Sequence, residues 1–304
     1  MINTLYLPEL REMLADNNLV GLREFCEALN PVRAADFMAG LTSDETWQVL
    51  LQADLDARVD IFSYLGPDKK VDILENSQLE EVAVLVASLP PDDRVDLLQD
   101  IDEDRRDQLL AIIPAEERRD FHRLSQYPEE TAGAVMTTEI VRLTEDLTVR
   151  AALDEIGRQD EDYETIYYLY IVDAEERLRG IVSARQLLAA MRKPDTLLRE
   201  LMESDMVTVN VLEDQEDVAN KVAKMDLLAI PVVDDQHKLL GIITHDDVID
   251  VVREEATEDA HRIAGIDPLD ESYLRTSLLT LTQKRGFWLA VLFVFALIPA
   301  FALD

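Results

Sequence analysis

The stretch that decides the fold is AIPVVDDQHKLLGIITHDDVIDVVREEATED, residues 229–259. Its apolar run from Ile230 to Val233 predicts a short strand, and the run from Leu239 to Thr244 predicts a second strand after an acidic turn. A helix is expected to begin at His245 and to carry a high density of carboxylates. The stretch therefore predicts a strand–turn–strand–helix unit with an acidic exit.

An earlier segment repeats this pattern at a constant offset of 61 residues. Gly180 corresponds to Gly241 and Ser183 to Thr244, and an aspartate lies seven residues before each glycine. Each copy is also preceded by a short apolar opening and a helix-like run. The repeat predicts two tandem units of about sixty residues, each with the order strand–helix–strand–strand–helix.

Composition limits the classes of partner. The chain has 304 residues, enough for two or three domains, and its 63 acidic against 29 basic residues give a net charge of −34. Such a surface repels phosphate, which disfavours nucleic acid and anionic lipid as partners of the soluble part and favours cations. A merely very soluble surface is the alternative. The single cysteine, Cys26, can form no internal disulfide, as expected in a reducing compartment.

Residues 1–126 carry the pattern of a helical solenoid. Apolar residues recur at three- and four-residue spacing, and breakers such as Asn30-Pro31 and Gly66-Pro67 are soon followed by acids, as at the first turns of helices. The segments that begin at Leu65 and Leu89 also resemble each other. Because short helical repeats stack on their neighbours, we expect a superhelical arrangement here.

The end of the chain has a different composition. Leucines recur on helical spacing up to Lys284 and Arg285, and about eighteen uncharged residues follow, near the minimum length for a transmembrane helix. The two basic residues and Trp288 suit a cytoplasmic anchor at the membrane surface. A buried core helix is the alternative. Because the sequence stops at Asp304, directly after this one span, we expect it to be a truncated form of a longer protein.

Four segments resemble motifs of one known family, and they lie in the family's order. They are YPEETAGAVMT (127–137), IPVVD (230–234), GIITHDDV (241–248) and EATEDAH (255–261). Together with the acidic helical N-terminal part, these segments resemble the MgtE family of magnesium transporters, whose tandem units are CBS domains. The resemblance covers essentially the whole chain.

The resemblance implies an α+β multidomain fold. Its expected parts are an acidic all-α solenoid at 1–126, α/β CBS units at 127–198 and 199–256, a long connecting or plug helix at 257–285, and a first transmembrane helix at 286–304.

The resemblance also implies the function. It predicts a homodimeric magnesium channel of the cell inner membrane whose residues 1–285 lie in the cytoplasm and close the pore when intracellular Mg²⁺ bridges their acidic faces. Mg²⁺ usually takes one or two carboxylates and keeps several waters, which suits scattered acids on facing surfaces. The acids that match the family's sensor are Asp60, Asp92, Asp96, Asp214, Glu216, Asp226, Asp247, Asp250, Glu255, Glu258 and Asp259.

ATP is an open second ligand. In CBS pairs a glycine–threonine–aspartate motif holds the ribose of an adenine nucleotide, and Gly241, Thr244 and Asp247 match it, with Arg185 a further candidate in the first unit. The first unit departs from the motif, because Gln186 stands where an aspartate is expected. Leu227 also stands where some ATP-binding relatives place an aromatic residue, which weakens the stacking of a base.

No catalytic motif is present, and we expect no enzyme. The four histidines are far apart in sequence, no glycine-rich phosphate loop occurs, and no serine or cysteine lies in a nucleophile-elbow pattern. The rival hypothesis is a membrane-tethered CBS regulator that binds adenine nucleotides and transports nothing. Coding sequence for further membrane spans beyond Asp304 would decide between the two.

Overall fold

The computed structural model describes residues 5–158 and 165–263. Ten short helices form its N-terminal part. Their bounds are α1 Leu7–Ala15, α2 Leu19–Ala28, α3 Pro31–Met38, α4 Ser43–Leu50, α5 Leu55–Ser63, α6 Pro67–Asn76, α7 Leu79–Ala87, α8 Pro91–Gln99, α9 Glu103–Ile112 and α10 Ala115–Leu124.

These helices form the predicted solenoid with a regular period. Each helix begins 12 residues after the one before it, from Leu7 to Ala115. Helices two places apart pack together, for example α2 with α4, α5 with α7, and α8 with α10. The resemblance between the segments at Leu65 and Leu89 therefore spans two repeats. Side-chain oxygens cap several helices at the same spacing, namely those of Asn18, Asn30, Thr42, Asp54 and Asp102.

Arginine and lysine side chains cap the C-terminal ends of several of these helices. The Arg58 guanidinium donates to backbone carbonyls eight, seven and five residues earlier, at the end of α4. Arg94, 36 residues later, repeats these three bonds at the end of α7 with distances of 2.7–3.1 Å. Lys69 and Arg105, also 36 residues apart, bond the ends of α3 and α6. These bonds satisfy carbonyls that a helix end leaves without partners.

Two three-stranded sheets follow the solenoid. Their elements are β1 Ile140–Thr144, α11 Val149–Ile156, β2 Thr165–Val172, β3 Leu178–Ser183, α12 Ala184–Ala190, α13 Leu198–Leu201, β4 Val209–Asn210, α14 Gln215–Met225, β5 Ala229–Val233, β6 Leu239–Thr244 and α15 His245–Ile263. In each sheet the first two strands are parallel and the last two antiparallel. The predicted tandem units are confirmed.

The two units are interlocked, which the sequence did not predict. Thr137, which precedes the first strand of the first unit, pairs with Ile242 of the second unit. Glu203, which precedes the first strand of the second unit, pairs with Ile181 of the first. A glycine permits each close approach. A Cβ on Gly241 would lie 2.4 Å from the Thr137 carbonyl oxygen, and the corresponding distance at Gly180 is 2.8 Å to that of Glu203.

Replacing Gly241 with alanine should therefore lower the free energy of unfolding by about 2–3 kcal/mol, because the added methyl group must displace a paired backbone. Gly66→Ala is the matched control, since no atom lies within 4 Å of its added Cβ. Chemical denaturation of both variants measures the difference. Equal stability of the two would contradict the tight crossing at Gly241.

The connecting region is described only in part. Helix α15 continues without a break through the predicted boundary at 256, as far as Ile263. The remainder of the predicted connecting helix and the whole predicted span at 286–304 lie outside the described residues. Within residues 5–158 and 165–263, no helix combines the length and the apolar character needed to cross a membrane.

Candidate functional site

Helices α14 and α15 run antiparallel and carry acids at both ends of the pair. At one end the Gln215 side-chain amide donates to Glu255, at 3.0 Å. At the other end the His245 amide donates to the Leu228 carbonyl oxygen, also at 3.0 Å. The acids at the start of α15 therefore lie at one end of the pair, and those at the start of α14 lie at the other.

The first group of acids lies where the solenoid meets the second unit. We call Asp93 of α8 and Asp246, Asp247 and Asp250 of α15 the junction cluster. Part of the Asp93 side chain reaches solvent, but protein surrounds the rest, and this desolvation raises the pKa of Asp93. The charges of Asp250 and Asp246 raise the pKa further, while Lys70 lowers it. The solenoid and the second unit thus repel each other here through facing carboxylates.

Asp247 is the most perturbed carboxyl group of the junction cluster. Its Oδ2 accepts hydrogen bonds from the Thr244 amide at 3.1 Å and the Thr244 hydroxyl at 2.5 Å. The same hydroxyl lies 2.6 Å from Asp246 Oδ1, although it has one proton to donate. Burial, and then the charges of Asp246 and Asp93, raise the pKa of Asp247 to about 6 against the Thr244 bonds. The cluster therefore has capacity for a proton or a cation.

Asp247→Asn should remove part of the pH dependence of stability. Because the pKa of Asp247 is raised, the folded state holds the Asp247 proton more tightly than the unfolded state does. The stabilisation that this bound proton gives the folded state is complete below about pH 4 and is lost as pH rises through about 6. The variant should be about 1–2 kcal/mol more stable than the parent at pH 7.5 without divalent ions, and equal to it near pH 4.

Denaturation curves across this pH range measure the effect. Asp154→Asn, at an exposed position of α11, is the control with the same change of charge. Parallel pH profiles for the parent and Asp247→Asn would show that Asp247 is not destabilised in the folded state.

The second group lies at the opposite end of the helix pair. We call Asp214, Glu216 and Glu255 the exit cluster. Asp214 caps α14 by accepting the amide of Glu216 at 2.9 Å, and Glu255 is bonded to the neighbouring Gln215. The segment that links the solenoid to the first unit also contacts this end, since Thr131 pairs with Asp214. The side chains of Glu258 and Asp259, predicted for the same sensor, lie outside the described part of the chain.

The other predicted acids lie in separate places. Asp92 and Asp96 share α8 with Asp93, and Asp226 ends α14 in a left-handed conformation, two residues before the carbonyl that bonds His245. Asp60 lies on α5, where burial, and then the charges of Asp56 and Asp54, raise its pKa. In the described part of the chain, no three His, Cys, Asp or Glu side chains converge to hold a metal ion.

Sequence reasoning missed Asp93 and Asp246 as members of the junction cluster. Each directly precedes or follows a predicted acid, Asp92 in one case and Asp247 in the other. The charge pattern alone could have pointed to both, whereas the side of α8 that faces α15 depends on how the solenoid packs.

The candidate nucleotide residues have structural roles in the fold. Gly241 permits the crossing at Thr137, and Asp247 caps α15 through Thr244. In the first unit Gln186 occupies the equivalent position, and its Oε1 accepts the Ser183 amide at 2.7 Å. Arg185 is exposed on α12. In both units, therefore, the glycine of the motif permits the close crossing of two strands. The residue six positions later, Asp247 or Gln186, caps a helix.

A cleft between the two sheets is a further candidate site. It has a volume of about 340 Å³, and its lining includes Tyr168, Tyr170, Met225, Leu227 and Pro231. The Tyr170 ring lies in the core between the sheets with 1% of its surface exposed. This cleft is mostly apolar, as small-molecule sites usually are.

The fold and its acidic surfaces define a class of protein: a helical solenoid that carries a paired CBS module. The family described as MgtE intracellular N domain matches residues 29–130, and the CBS domain family matches residues 132–193 and 198–254. The soluble part of a magnesium transporter, solved as a crystal structure, superposes with a TM-score of 0.75 at 34% identity, covering 82% of this chain and 97% of that one. The chain belongs to the MgtE family.

Further relatives agree with this assignment. The magnesium transporter MgtE of Thermus thermophilus is 40% identical over 177 residues, and that of Enterococcus faecalis is 41% identical over 173 residues. These matches cover 58% and 57% of this chain but 39% and 37% of the relatives, so the matched region spans about two fifths of their length. The cytosolic domain of the Mg²⁺ channel MgtE in complex with ATP also superposes, with a TM-score of 0.75 at 33% identity, covering 80% of this chain and 98% of that one.

Proposed function

We propose that this chain contains the cytoplasmic Mg²⁺-sensing and gating region of an MgtE-like magnesium channel. The observation that carries the proposal is the junction cluster, where carboxylates of the solenoid and of the second CBS unit face each other. Burial, and then the charges of Asp250 and Asp246, raise the pKa of Asp93, and burial, and then the charges of Asp246 and Asp93, raise that of Asp247. Like charges held together across a domain boundary store repulsion that a divalent cation reverses. A cation is therefore the natural ligand of this boundary.

The proposed mechanism follows from the position of the two clusters. Without Mg²⁺, Asp93 repels the acids at the start of α15, and the solenoid is held away from the second unit. With Mg²⁺, hydrated ions bridge the carboxylates of α8, including those of Asp92 and Asp96, to Asp247 and Asp250. At the other end of the helix pair, ions at the exit cluster act on α15, which leads toward the segment where the sequence predicts a connecting helix. Binding of Mg²⁺ at both ends of the helix pair would thereby act on the predicted connecting helix.

A thermal unfolding series tests the sensing role. The full chain, kept in mild detergent, is unfolded at rising MgCl₂ and, separately, at KCl of matched ionic strength. A site with a dissociation constant of about 1 mM contributes about 1.4 kcal/mol at about 10 mM Mg²⁺, so several such sites should raise the midpoint by several degrees beyond KCl. Identical curves in the two salts would refute Mg²⁺ sensing by this region.

We also propose that the chain works as a homodimer. Apolar side chains are exposed at equivalent positions after the last strand of each unit. They are Leu188 in α12, Met191 directly after α12, and Ile249 and Val252 in α15. These four side chains are between 45% and 59% exposed. Apolar surface of this kind in both units fits a self-complementary contact with a second copy.

Leu188→Glu should shift the chain from dimer toward monomer, because a carboxylate would be buried among apolar side chains. Sedimentation velocity measures the dimer fraction, with Leu212→Glu, at an exposed leucine of the loop before α14, as the control. A monomeric parent chain, or an unchanged dimer in Leu188→Glu, would overturn this surface.

The proposed location is the inner membrane, with residues 1–285 in the cytoplasm. It is supported by the magnesium-transporter names of the relatives and by the basic residues Lys284 and Arg285 before the apolar stretch. Fractionation of cells that express the chain with an N-terminal fluorescent tag tests both parts. Fluorescence in the soluble fraction would count against the membrane location. Resistance of the tag to a protease that acts in the cytoplasm would count against a cytoplasmic N-terminal region.

A second candidate function is regulation by adenine nucleotides, with or without transport. Two observations favour it: the cleft between the sheets, and the ATP complex of the similar cytosolic domain. Calorimetric titration of the chain with ATP and adenosine tests it, and the absence of binding by either would remove this function while leaving Mg²⁺ sensing intact.

A further inference from the structure

A polar cleft separates the solenoid from the first CBS unit. It has a volume of about 990 Å³, and we call it the boundary cleft. Parts of α5, α7, α8 and α10 form its solenoid side, and residues 138–140 and Arg142 of the first unit form the other side. Charged groups of both signs line it, among them Arg94 of α8 and Glu139. A polar boundary of this kind permits movement between domains more readily than a packed apolar one.

The solenoid is anchored at the end of the helix pair that carries the exit cluster. In the segment that links the solenoid to the first unit, the Ala132 amide donates to the Glu213 carbonyl oxygen at 2.7 Å. The Gly133 amide likewise donates to the Val211 carbonyl oxygen at 2.8 Å. Helix α8 faces the opposite end, where the acids of the junction cluster repel each other. An attraction elsewhere on α8 would oppose this repulsion and reduce the amount of metal needed for closure.

Arg94 and Glu139 are suited to supply this attraction. Arg94 is 3% exposed and Glu139 is half-buried, so salt and solvent screen their charges only in part. Burial lowers the pKa of Arg94, and Glu139 is foremost among the acids that raise it. Arg58 makes the same carbonyl bonds 36 residues earlier, but its acidic neighbours Glu81 and Asp54 belong to the solenoid. The foremost acidic neighbour of Arg94 belongs instead to the first unit.

We propose that Glu139 is a positioning residue that holds α8 against the CBS pair without metal and thereby sets the Mg²⁺ concentration at which the junction closes. This role rests on the proposed magnesium sensing and adds a metal-independent element to it. Asp93 and Arg94 are adjacent on α8, so the attraction of Arg94 to Glu139 keeps Asp93 close to the acids of α15. A bridging ion then has less separation to overcome, and closure begins at a lower Mg²⁺ concentration.

Förster transfer within the full chain, kept in mild detergent, tests this role. Dyes attached through Gln99→Cys in α8 and Asn220→Cys in α14, both at exposed positions, report the separation of the solenoid from the second unit. The native Cys26 is buried. In divalent-free buffer, Glu139→Gln should lower the transfer efficiency. In a Mg²⁺ titration at constant ionic strength, this variant should need about two- to fivefold more Mg²⁺ for half-closure.

Three controls separate this role from the overall charge of the chain. Glu175→Gln removes the same charge from an exposed turn of the first unit, outside the lining of the boundary cleft, and should leave both readouts unchanged. Glu139→Asp keeps the charge and should stay closer to the parent than Glu139→Gln does. KCl at about 0.5 M should narrow the difference between the parent and Glu139→Gln, because salt screens the attraction that the variant lacks.

The outcomes distinguish this role from the magnesium sensing on which it rests. If Glu139→Gln matches the parent both without metal and in its Mg²⁺ midpoint, or if Glu175→Gln shifts both readouts equally, Glu139 is not a positioning residue, and the proposed sensing stands. If Mg²⁺ leaves the transfer of the parent unchanged, the proposed sensing fails and the role of Glu139 in setting its threshold fails with it. A lowered transfer of Glu139→Gln without metal would then still show that Glu139 holds α8.

Discussion

Arg94→Met should lower the free energy of unfolding by about 3–5 kcal/mol, the largest stability effect that we expect of a single substitution here. The Arg94 side chain is 3% exposed, and its guanidinium donates to three carbonyls at the end of α7. Burial lowers the pKa of Arg94, and nearby acids, first among them Glu139, raise it. Methionine keeps much of the volume but leaves the carbonyls without donors.

The control for this substitution is Arg119→Met on α10. Arg119 is exposed, and its Nε donates to the Ala115 carbonyl of the same helix. We expect a change within about 0.5 kcal/mol there. A similar small change for Arg94→Met in urea denaturation would show that the capping bonds contribute little to the solenoid.

Removal of both facing carboxylates of the junction cluster should abolish most of the stabilisation that Mg²⁺ gives. In the double variant Asp93→Asn and Asp247→Asn, the Thr244 bonds survive, because an asparagine oxygen still accepts them. The repulsion and the two anionic ligands are lost together. The variant should therefore start more stable than the parent in divalent-free buffer, and its midpoint should rise by less than about half as much at about 10 mM Mg²⁺.

The control for the double variant carries the same change of net charge elsewhere. Asp36 of α3 and Asp154 of α11 are exposed acids outside both clusters, and the double change of these two to asparagine should leave the Mg²⁺ response unaltered. If the control lost as much response as the junction variant, Mg²⁺ would act on overall charge and not on this boundary.

Local chemistry made the tandem units predictable. Both copies place a strand, an acidic turn, a strand and a capped helix in the same spacing, and each of these signals is local in sequence. Capping of the helix by Gln186 in one unit and by Asp247 in the other follows the same pattern. The solenoid was predicted for the same reason, from prolines and acids at helix starts.

Contacts between distant segments were not predictable in this way. The pairing of Thr137 with Ile242 joins segments of different units, and the register of such a pair depends on how the sheets pack. The position of Asp93 opposite Asp246 depends in turn on the curvature of the solenoid. One missed signal was local: the caps Asn30, Thr42 and Asp54 recur every 12 residues and give the helix period directly.

A distance measured across the junction is the most direct test of Mg²⁺-driven closure. Spin labels at the exposed positions Gln99 of α8 and Asn220 of α14 report the separation of the solenoid from the second unit, and the native Cys26 is buried. Double electron–electron resonance should give a shorter mean distance between the two labels and a narrower distance distribution when Mg²⁺ is raised to about 10 mM. This change should exceed any change in KCl of equal ionic strength. The same distribution in both salts would contradict closure of this boundary by the metal.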